Sequence, residues 1–538
     1  MQATHLLMTA ALAVAGLFPL PAAAQLGHGH AGSVTVAQAP RLHFSAAEMA
    51  LAAAVADDLD LAAFYGRNGL RMVFEGAAGE SRRAAVRDAV ATAPRHGIPT
   101  SRYRPEGLAA LQDGLEAELA YARTLSRLLK DLTGGVLVPS RVDPEIKRDA
   151  SARPVAALMA EFVAAADPAS VVAAAAPRHP AYRQLQDGLV GRAELTIPPH
   201  LPRVPEGLWR IGMRSPDLPL MRGRLQAMGF DAPVAEPSLY DASLAEAVAR
   251  FQDAAGLPSD GIAGPQTIRR LNGDGPSGRD QRQRAIMVAL ERLRWMGDQD
   301  FTGRYVWVNI PDYSTTVITD GAETFRTRSV VGKDTAEMRT PEFSDVMSHL
   351  VVNPSWNVPR SITNRDYLPK LRANPNALAH LDVVDGRGNV VPRAQVNFNA
   401  GSFPYRLRQK PSADNALGEV KFIFPNQWNI YLHDTPTRHL FGQSMRAHSN
   451  GCIRLQDPVD LAQTLLSVQS ADPAAVYRRA KDSGRETWLT LRPGVPVHLV
   501  YFTAWPDASG QVRMLPDVYG RDARVWQALE AEGFGTGS

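Results

Sequence analysis

The residues best equipped to do chemistry together in this sequence are His433 and Cys452, nineteen positions apart. Cys452 is the only cysteine of the chain and sits in Ser449-Asn450-Gly451-Cys452-Ile453-Arg454. His433 closes the strand-like stretch Ile430-Tyr431-Leu432-His433, directly before Asp434. A thiol attacks a carbonyl only as its thiolate, so a neighbouring imidazole is its natural activator. The same imidazole can hand the proton to a leaving amine. A glycine directly before the cysteine lets the backbone bend sharply and turn successive N–H groups towards one point, which is what a tetrahedral oxyanion needs. Sequence supplies these parts without proving that they meet.

Two other chemistries use the same residues. A lone thiol can be an inert core side chain. Alternatively, His433, His439, His448 and Cys452 could form a zinc site, but their spacings fit no standard zinc motif and no glutamate base lies close by.

The rest of the chain must position such a site. At 538 residues it is too long for one core, and two to four domains are expected. Apolar content of 45% and charged content of 21% are ordinary for a folded protein. A formal charge of +3 without long Lys/Arg runs points away from nucleic acid and from anionic membrane surfaces. Leu6 to Leu20 is nearly all apolar, and Ala22-Ala23-Ala24 offers a small-residue cleavage site. Residues 1–24 therefore read as an export signal and the protein as periplasmic, with an uncleaved anchor as the alternative. A single cysteine in an oxidising compartment forms no intrachain disulfide, which marks Cys452 further.

Residues 25–44 read as a linker, and order is expected from Ser45, where Ser45-Ala-Ala-Glu48 has the form of a capping box. A helical scaffold is expected over 45–195. Its clearest signal is Leu115, Leu119, Ala122, Leu125, Leu129 and Leu132 at spacings of three and four, ended by Gly134-Gly135. A proline-rich boundary precedes a compact three-helix module at 208–273, with cap signals at Asp241 and Ser243 and Pro265 opening the third helix. A short helix, Ala285 to Trp295, leads into a β-rich domain over 285–500. Alternating strands such as Tyr305–Ile310 and Ser314–Thr319 open that domain, and an irregular insert interrupts it at 359–408. Residues 501–538 form a C-terminal extension. The expected fold class is multidomain α+β.

Residues 431–454 resemble the signature of the L,D-transpeptidase (YkuD-type) catalytic domain, through His433, Ser449, Gly451, Cys452 and Arg454. Val331-Gly332-Lys333, Thr340-Pro341-Glu342-Phe343, Asn353-Pro354-Ser355-Trp356-Asn357-Val358-Pro359 and Asn415-Ala416-Leu417-Gly418 also fit. The 208–273 segment resembles the peptidoglycan-binding domain type 1, through Ala249-Arg250-Phe251-Gln252 and Asp260-Gly261-Ile262-Ala263-Gly264-Pro265. The whole order resembles the large, YcbB-like Gram-negative members. One departure is Asn450, where many members carry histidine; His448 is shifted out of that slot and receives no role.

The resemblance implies a Cys452 thioester on a tetrapeptide donor stem, formed with His433 as general base and acid. A diaminopimelate amine of a second stem then resolves it into a 3→3 peptidoglycan cross-link. It implies oxyanion donors among the Asn450, Gly451 and Cys452 amides, and an imidazole oriented by the Asp434 carbonyl or carboxylate. Ser449 would hold the cysteine loop. Substrate contacts would come from Arg454, Trp356, Asn353 and Tyr431, with Arg454 equally suited to a structural ion pair. The insert corresponds to a substrate-capping subdomain. No metal, nucleotide or other cofactor is implied. Other cell-wall synthases are candidate partners, and carbapenems are expected covalent inhibitors. Resolution by water would make a carboxypeptidase, and resolution by a protein amine an anchoring enzyme. A wall-binding protein with a decayed site is the reading from another class.

Overall fold

The computed structural model describes residues 43–150, 153–190, 195–234, 236–274 and 277–535. The expected signal at 1–24 and all but the end of the 25–44 linker lie outside the described residues.

The helical region is built on the helix Leu115–Gly134. Its leucine stripe is the reason: Ala122, Leu125, Leu129 and Leu132 are fully buried, each leucine contributing roughly 1.5–3 kcal/mol by its removal from water. Gly135, at φ +84°, ends the helix. The helices Gly76–Thr92, Val155–Ala164 and Pro168–Ala175 pack around it.

The next module is three helices, Leu218–Ala227, Ala242–Ala254 and Pro265–Leu271, around Leu225, Val248, Phe251 and Ile268. Asp241 caps the second helix by accepting from the Leu244 N–H at 2.8 Å.

The β-rich region has fourteen strands with the C-terminal pair included. They are β1 (Tyr305–Asn309), β2 (Ser314–Thr319), β3 (Ala322–Gly332), β4 (Phe343–Val352), β5 (Trp356–Asn357), β6 (Leu381–Val384) and β7 (Arg406–Gln409). Then follow β8 (Val420–Ile423), β9 (Leu432–His433), β10 (Ala447–Ser449), β11 (Ile453–Leu455), β12 (Thr487–Val500), β13 (Ala504–Pro506) and β14 (Val512–Met514). The main sheet runs β10-β3-β11-β9-β8-β4-β12-β1-β2, and β2 also pairs with β3, so the ladder closes on itself. Strands β1, β2, β4, β8, β9, β11 and β12 send side chains into a single core that includes Val308, Val317, Leu350, Phe422, Leu432 and Ile453.

The insert has its own sheet, β5-β7-β6, and its own core of Trp356, Leu371, Val383 and Leu407. Its sheet begins at Trp356, three residues ahead of the expected boundary, because Trp356 pairs with Gln409 across β5 and β7.

Two expectations change. The helix leading into the β-rich region runs over Gly278–Arg294, longer than the apolar spacing suggested. Its first turns are Arg- and Gln-rich, and Ser277 caps them. Residues 501–535 of the expected C-terminal extension also pack into the rest of the chain. The β13–β14 hairpin shares a core with Ile286, Leu290 and Leu293, and the helix Arg521–Ala531 sends Val525 and Leu529 into the helical region's core.

Candidate active site

A cavity of about 460 Å³ contains both chemical residues of the sequence reading, His433 and Cys452. Parallel pairing of β9 with β11 places His433 beside Arg454 and Leu432 beside Ile453. The cysteine, one residue before β11, therefore sits at the head of the strand neighbouring the histidine.

His433 is buried, and its Nδ1 lies 2.5 Å from the Asp434 carbonyl oxygen. A carbonyl only accepts, so Nδ1 carries the hydrogen and Nε2 keeps its lone pair, the tautomer a base requires. Burial, aided by the nearby Arg454 charge, pulls the imidazole's pKa down to about 3. Burial likewise pushes the Cys452 thiol up to about 11, against the lowering influence of Tyr431 and Arg454. The resting pair is therefore thiol and neutral imidazole, not thiolate and imidazolium. Among the described residues no hydrogen bond joins them; the thiol donates to the Asn429 carbonyl at 3.5 Å.

The Asp434 carboxylate does not face the imidazole. It accepts from the Glu419 N–H at 2.8 Å and from the Thr435 N–H at 2.6 Å, and it pairs with Arg438 at 2.5 Å. Gly418 makes room for it, since a Cβ there would fall 2.2 Å from Asp434 Oδ2. Of the two routes considered for Asp434, the structure uses the carbonyl.

The cysteine loop is bound from within and from behind. Ser449 Oγ accepts the Gly451 N–H at 3.1 Å and donates to the Cys452 carbonyl at 2.5 Å. Gly451 takes φ +115°, a conformation L side chains rarely adopt. This corrects one expectation: the Gly451 N–H is committed to Ser449 and is not available to an oxyanion. Among the described residues the Asn450 and Cys452 N–H groups have no intramolecular acceptor, which leaves them as the candidate donors. The Asn450 side chain turns elsewhere, accepting from Arg365 of the insert at 3.3 Å.

The other expected residues divide. Trp356 and Tyr431 line the cavity, and the Tyr431 hydroxyl interacts with both the Trp356 indole and the Cys452 thiol. Arg454 also lines it, donating to Thr437 Oγ1 at 3.0 Å, while its buried Nε has no acceptor. No carboxylate partner of Arg454 occurs among the described residues, which removes the structural ion pair as its explanation.

Asn353 is elsewhere. Its Nδ2 donates to the carbonyls of Lys481 at 2.9 Å and Ala480 at 3.3 Å, closing the helix Pro473–Asp482, and its φ is +51°. Asparagine tolerates that conformation and caps those carbonyls, so its job is structural. Asn353→Ala is expected to cost about 1–3 kcal/mol of stability with KM unchanged, read by thermal melting beside steady-state kinetics. His439 and His448 do not line the cavity; His448 Nε2 instead lies 3.0 Å from the Met445 carbonyl. The four residues of the zinc alternative are thus not brought together.

Three positioning residues received no role from the sequence. Thr340, fully buried, accepts the Gly332 N–H at 2.9 Å and donates to the Gly451 carbonyl at 2.7 Å. Its own carbonyl is held by Arg521 at 3.0 Å, from the C-terminal helix. Asn426 gathers the backbone of 424–430 through four hydrogen bonds, which presents Asn429, at φ +55°, to the thiol. Thr340→Val keeps the shape and deletes both side-chain bonds. It is expected to cut kcat about 10- to 100-fold by loosening the cysteine loop, with stopped-time kinetics and melting read in parallel.

A neutral imidazole and a thiol lining one cavity, with two uncommitted amides at the cysteine, can support acyl transfer through the thiol. Residues 303–497 match the L,D-transpeptidase catalytic domain (YkuD), 59–189 the Scaffold domain, and 214–271 the "Putative peptidoglycan binding domain". A Haemophilus influenzae protein described as "Putative L,D-transpeptidase" is 37% identical over 265 residues, 48% of this chain and 53% of its own length. This chain thus spans about half the length of that curated relative. The L,D-transpeptidase structure from Xylanimonas cellulosilytica is 16% identical, covering 56% of this chain and 100% of that one at a TM-score of 0.16. The one from Stackebrandtia nassauensis is 13% identical, covering 56% and 96% at a TM-score of 0.19. The three family matches place a YkuD-type L,D-transpeptidase catalytic domain at residues 303–497, after stretches that match a scaffold domain and a peptidoglycan-binding domain.

Proposed function

We propose that this protein is a periplasmic L,D-transpeptidase that forms 3→3 cross-links in peptidoglycan. The observation that carries the reading is the His433–Cys452 pair in one cavity, with the imidazole fixed as a base by the Asp434 carbonyl.

In the proposed reaction the donor stem lies with the amide between diaminopimelate and the terminal D-alanine at Cys452. His433 Nε2 takes the thiol proton as sulfur attacks the carbonyl. The oxyanion accepts from the Asn450 and Cys452 amides, an arrangement in which one donor is commonly worth roughly 2.7–4 kcal/mol. Arg454, whose guanidinium has no carboxylate partner among the described residues, binds the terminal carboxylate of the D-alanine. Collapse breaks the C–N bond, D-alanine leaves with the proton from His433, and a thioester remains. A diaminopimelate side-chain amine of a second stem then attacks it. His433 takes a proton from that amine and returns it to the departing thiolate.

Incubation with disaccharide tetrapeptide, followed by mass spectrometry, tests this. A dimer lacking one D-alanine is the expected product. D-alanine release without dimer would replace the reading by a carboxypeptidase or by transfer to another acceptor. A strained lactam presents the same acyl carbon without a leaving group. A carbapenem is therefore expected to add its full mass, once, to protein retaining Cys452 and not to Cys452→Ala.

A further inference from the structure

Two charged side chains that line the catalytic cavity, Glu145 and Lys147, come from the helical region rather than from the catalytic domain. They lie between the helices Pro139–Val142 and Val155–Ala164, on a stretch that docks on the segment leading into β4. The docking is a one-residue parallel bridge between Ile146 and Glu342. The Glu342 N–H donates to the Glu145 carbonyl at 2.9 Å, and the Lys147 N–H donates to the Glu342 carbonyl at 2.8 Å. In extended backbone successive side chains point to opposite sides. Ile146 is fully buried, and Glu145 and Lys147 are turned to the cavity.

The stretch is held at both ends. Asp143 Oδ1 accepts the Glu145 N–H at 2.8 Å, and the Arg148 guanidinium donates to Ser344 Oγ and to the Leu499 carbonyl, both at 2.8 Å. Lys147 Nζ and Glu145 Oε1 stand 3.6 Å apart, beyond a good hydrogen bond, with side chains 25% and 29% exposed. Among the described residues neither has another ion-pair partner. Two other cavity cations are more firmly engaged, Arg339 by Asp334 at 2.6 Å and Arg365 by Asp366 at 2.8 Å.

An ammonium and a carboxylate side by side, fixed in backbone and loosely paired with one another, complement a ligand that carries both charges on one carbon. We propose that Glu145 and Lys147 form a subsite for the free amino-acid head group of a diaminopimelate side chain, Lys147 taking its carboxylate and Glu145 its ammonium. This rests on the stem-peptide substrate proposed above. Exchange of the loose internal pair for two ligand pairs keeps every charge matched, so binding leaves no buried charge alone. The scaffold thereby selects substrate: a stem with lysine in place of diaminopimelate offers the ammonium without the carboxylate.

The full-length protein and its Lys147→Met, Lys147→Arg and Glu145→Gln variants decide the matter. With a diaminopimelate donor, Lys147→Met is expected to raise KM for D-alanine release about tenfold at constant kcat, with Lys147→Arg close to wild type. The lysine-containing donor is expected to be indifferent to Lys147→Met. If the head group belongs to the acceptor, D-alanine release stays unchanged and the yield of dimer falls about tenfold. Effects within twofold on both steps, or equal losses with both donors, would overturn the subsite. Should wild type release no D-alanine, the proposed function falls. Calorimetry of the Cys452→Ala protein with diaminopimelate acylated at its L-centre then still tests the subsite. Binding lost in Cys452→Ala/Lys147→Met supports it, and binding equal in both refutes it.

Discussion

Cys452→Ala is expected to abolish D-alanine release and dimer formation together, a fall of at least about 10⁴-fold in kcat. The size follows from what the substitution removes and what it spares. The nucleophile goes, and no other thiol exists in the chain to replace it. The Asn450 and Cys452 backbone amides, the Arg454 guanidinium and the cavity walls stay, so donor binding should hold within a few-fold. The loop should stay too, because Ser449 and Thr340 grip the backbone of 451–452 and not the sulfur. Isothermal titration with the tetrapeptide donor, beside a D-alanine assay, separates the two effects. An intact Kd with lost turnover places the defect in chemistry. Turnover within tenfold of wild type would remove Cys452 from the mechanism and require another nucleophile.

Sequence and structure diverge in an instructive way around that loop. His433, Gly451 and Cys452 were legible because chemistry restricts them to particular residue types at a particular spacing. The strands were legible from their β-branched and aromatic runs. Tyr305–Asn309 is nevertheless buried on both faces and not half-buried as its alternation suggests, with Val306 and Val308 in the sheet core and Tyr305 and Trp307 in a second core. The helix Leu115–Gly134 announced itself through the periodic spacing of its leucines. What sequence does not carry is where a polar side chain sends its hydrogen bonds. Asn353 stands in a motif that fits the family and reads as a substrate contact, yet its amide caps a helix more than a hundred residues later in the chain. Gly451 reads as an oxyanion donor until Ser449 is seen to accept its N–H. Thr340 stands in a stretch that fits the family but gives it no role, and Asn426 in none; what they do lies in the partners that the closed fold supplies.

The domain boundaries failed to predict contacts for a related reason. A buried charged cluster joins three stretches that the sequence presents as separate. Glu342, leading into β4, is paired with Arg292 of the helix Gly278–Arg294 at 2.7 Å and with Arg521 of the C-terminal helix at 3.3 Å. Arg292 also reaches Asp522 at 2.8 Å. Removing one member would leave buried charge unmatched, which commonly costs about 3–5 kcal/mol. Because Arg521 and Glu342 flank Thr340, the same cluster fixes the residue that holds the cysteine loop. The helix Gly278–Arg294, the C-terminal helix and the catalytic loop are thus mechanically one site, although composition along the chain separates them.

His433→Ala is expected to lower kcat about 10³- to 10⁴-fold at neutral pH and, more tellingly, to change the pH profile. In the wild type the imidazole titrates near 3, so it is an unprotonated base at every pH above about 4. The thiol titrates near 11, so at pH 7 almost none is thiolate and attack depends on proton transfer to His433 as the bond forms. The activity should therefore be flat from about pH 5 to 9, with its acid limb well below the 6.5 of a free imidazole. Without the base, only preformed thiolate reacts, and the residual rate of His433→Ala should climb about tenfold per pH unit between 7 and 10. Stability has to be followed alongside. An imidazole whose pKa falls from 6.5 to about 3 on folding contributes fully above 6.5 and loses that contribution as pH falls towards 3, because the unfolded chain takes the proton first. His498, also near 3, and His96 and His179, near 4, act in the same direction, so the melting temperature should drop through this window. Initial rates measured before unfolding distinguish the two causes. A wild-type acid limb near 6.5 in still-folded protein would mean that the imidazole is solvated in the working state. A flat profile for His433→Ala would mean that another group takes the thiol proton.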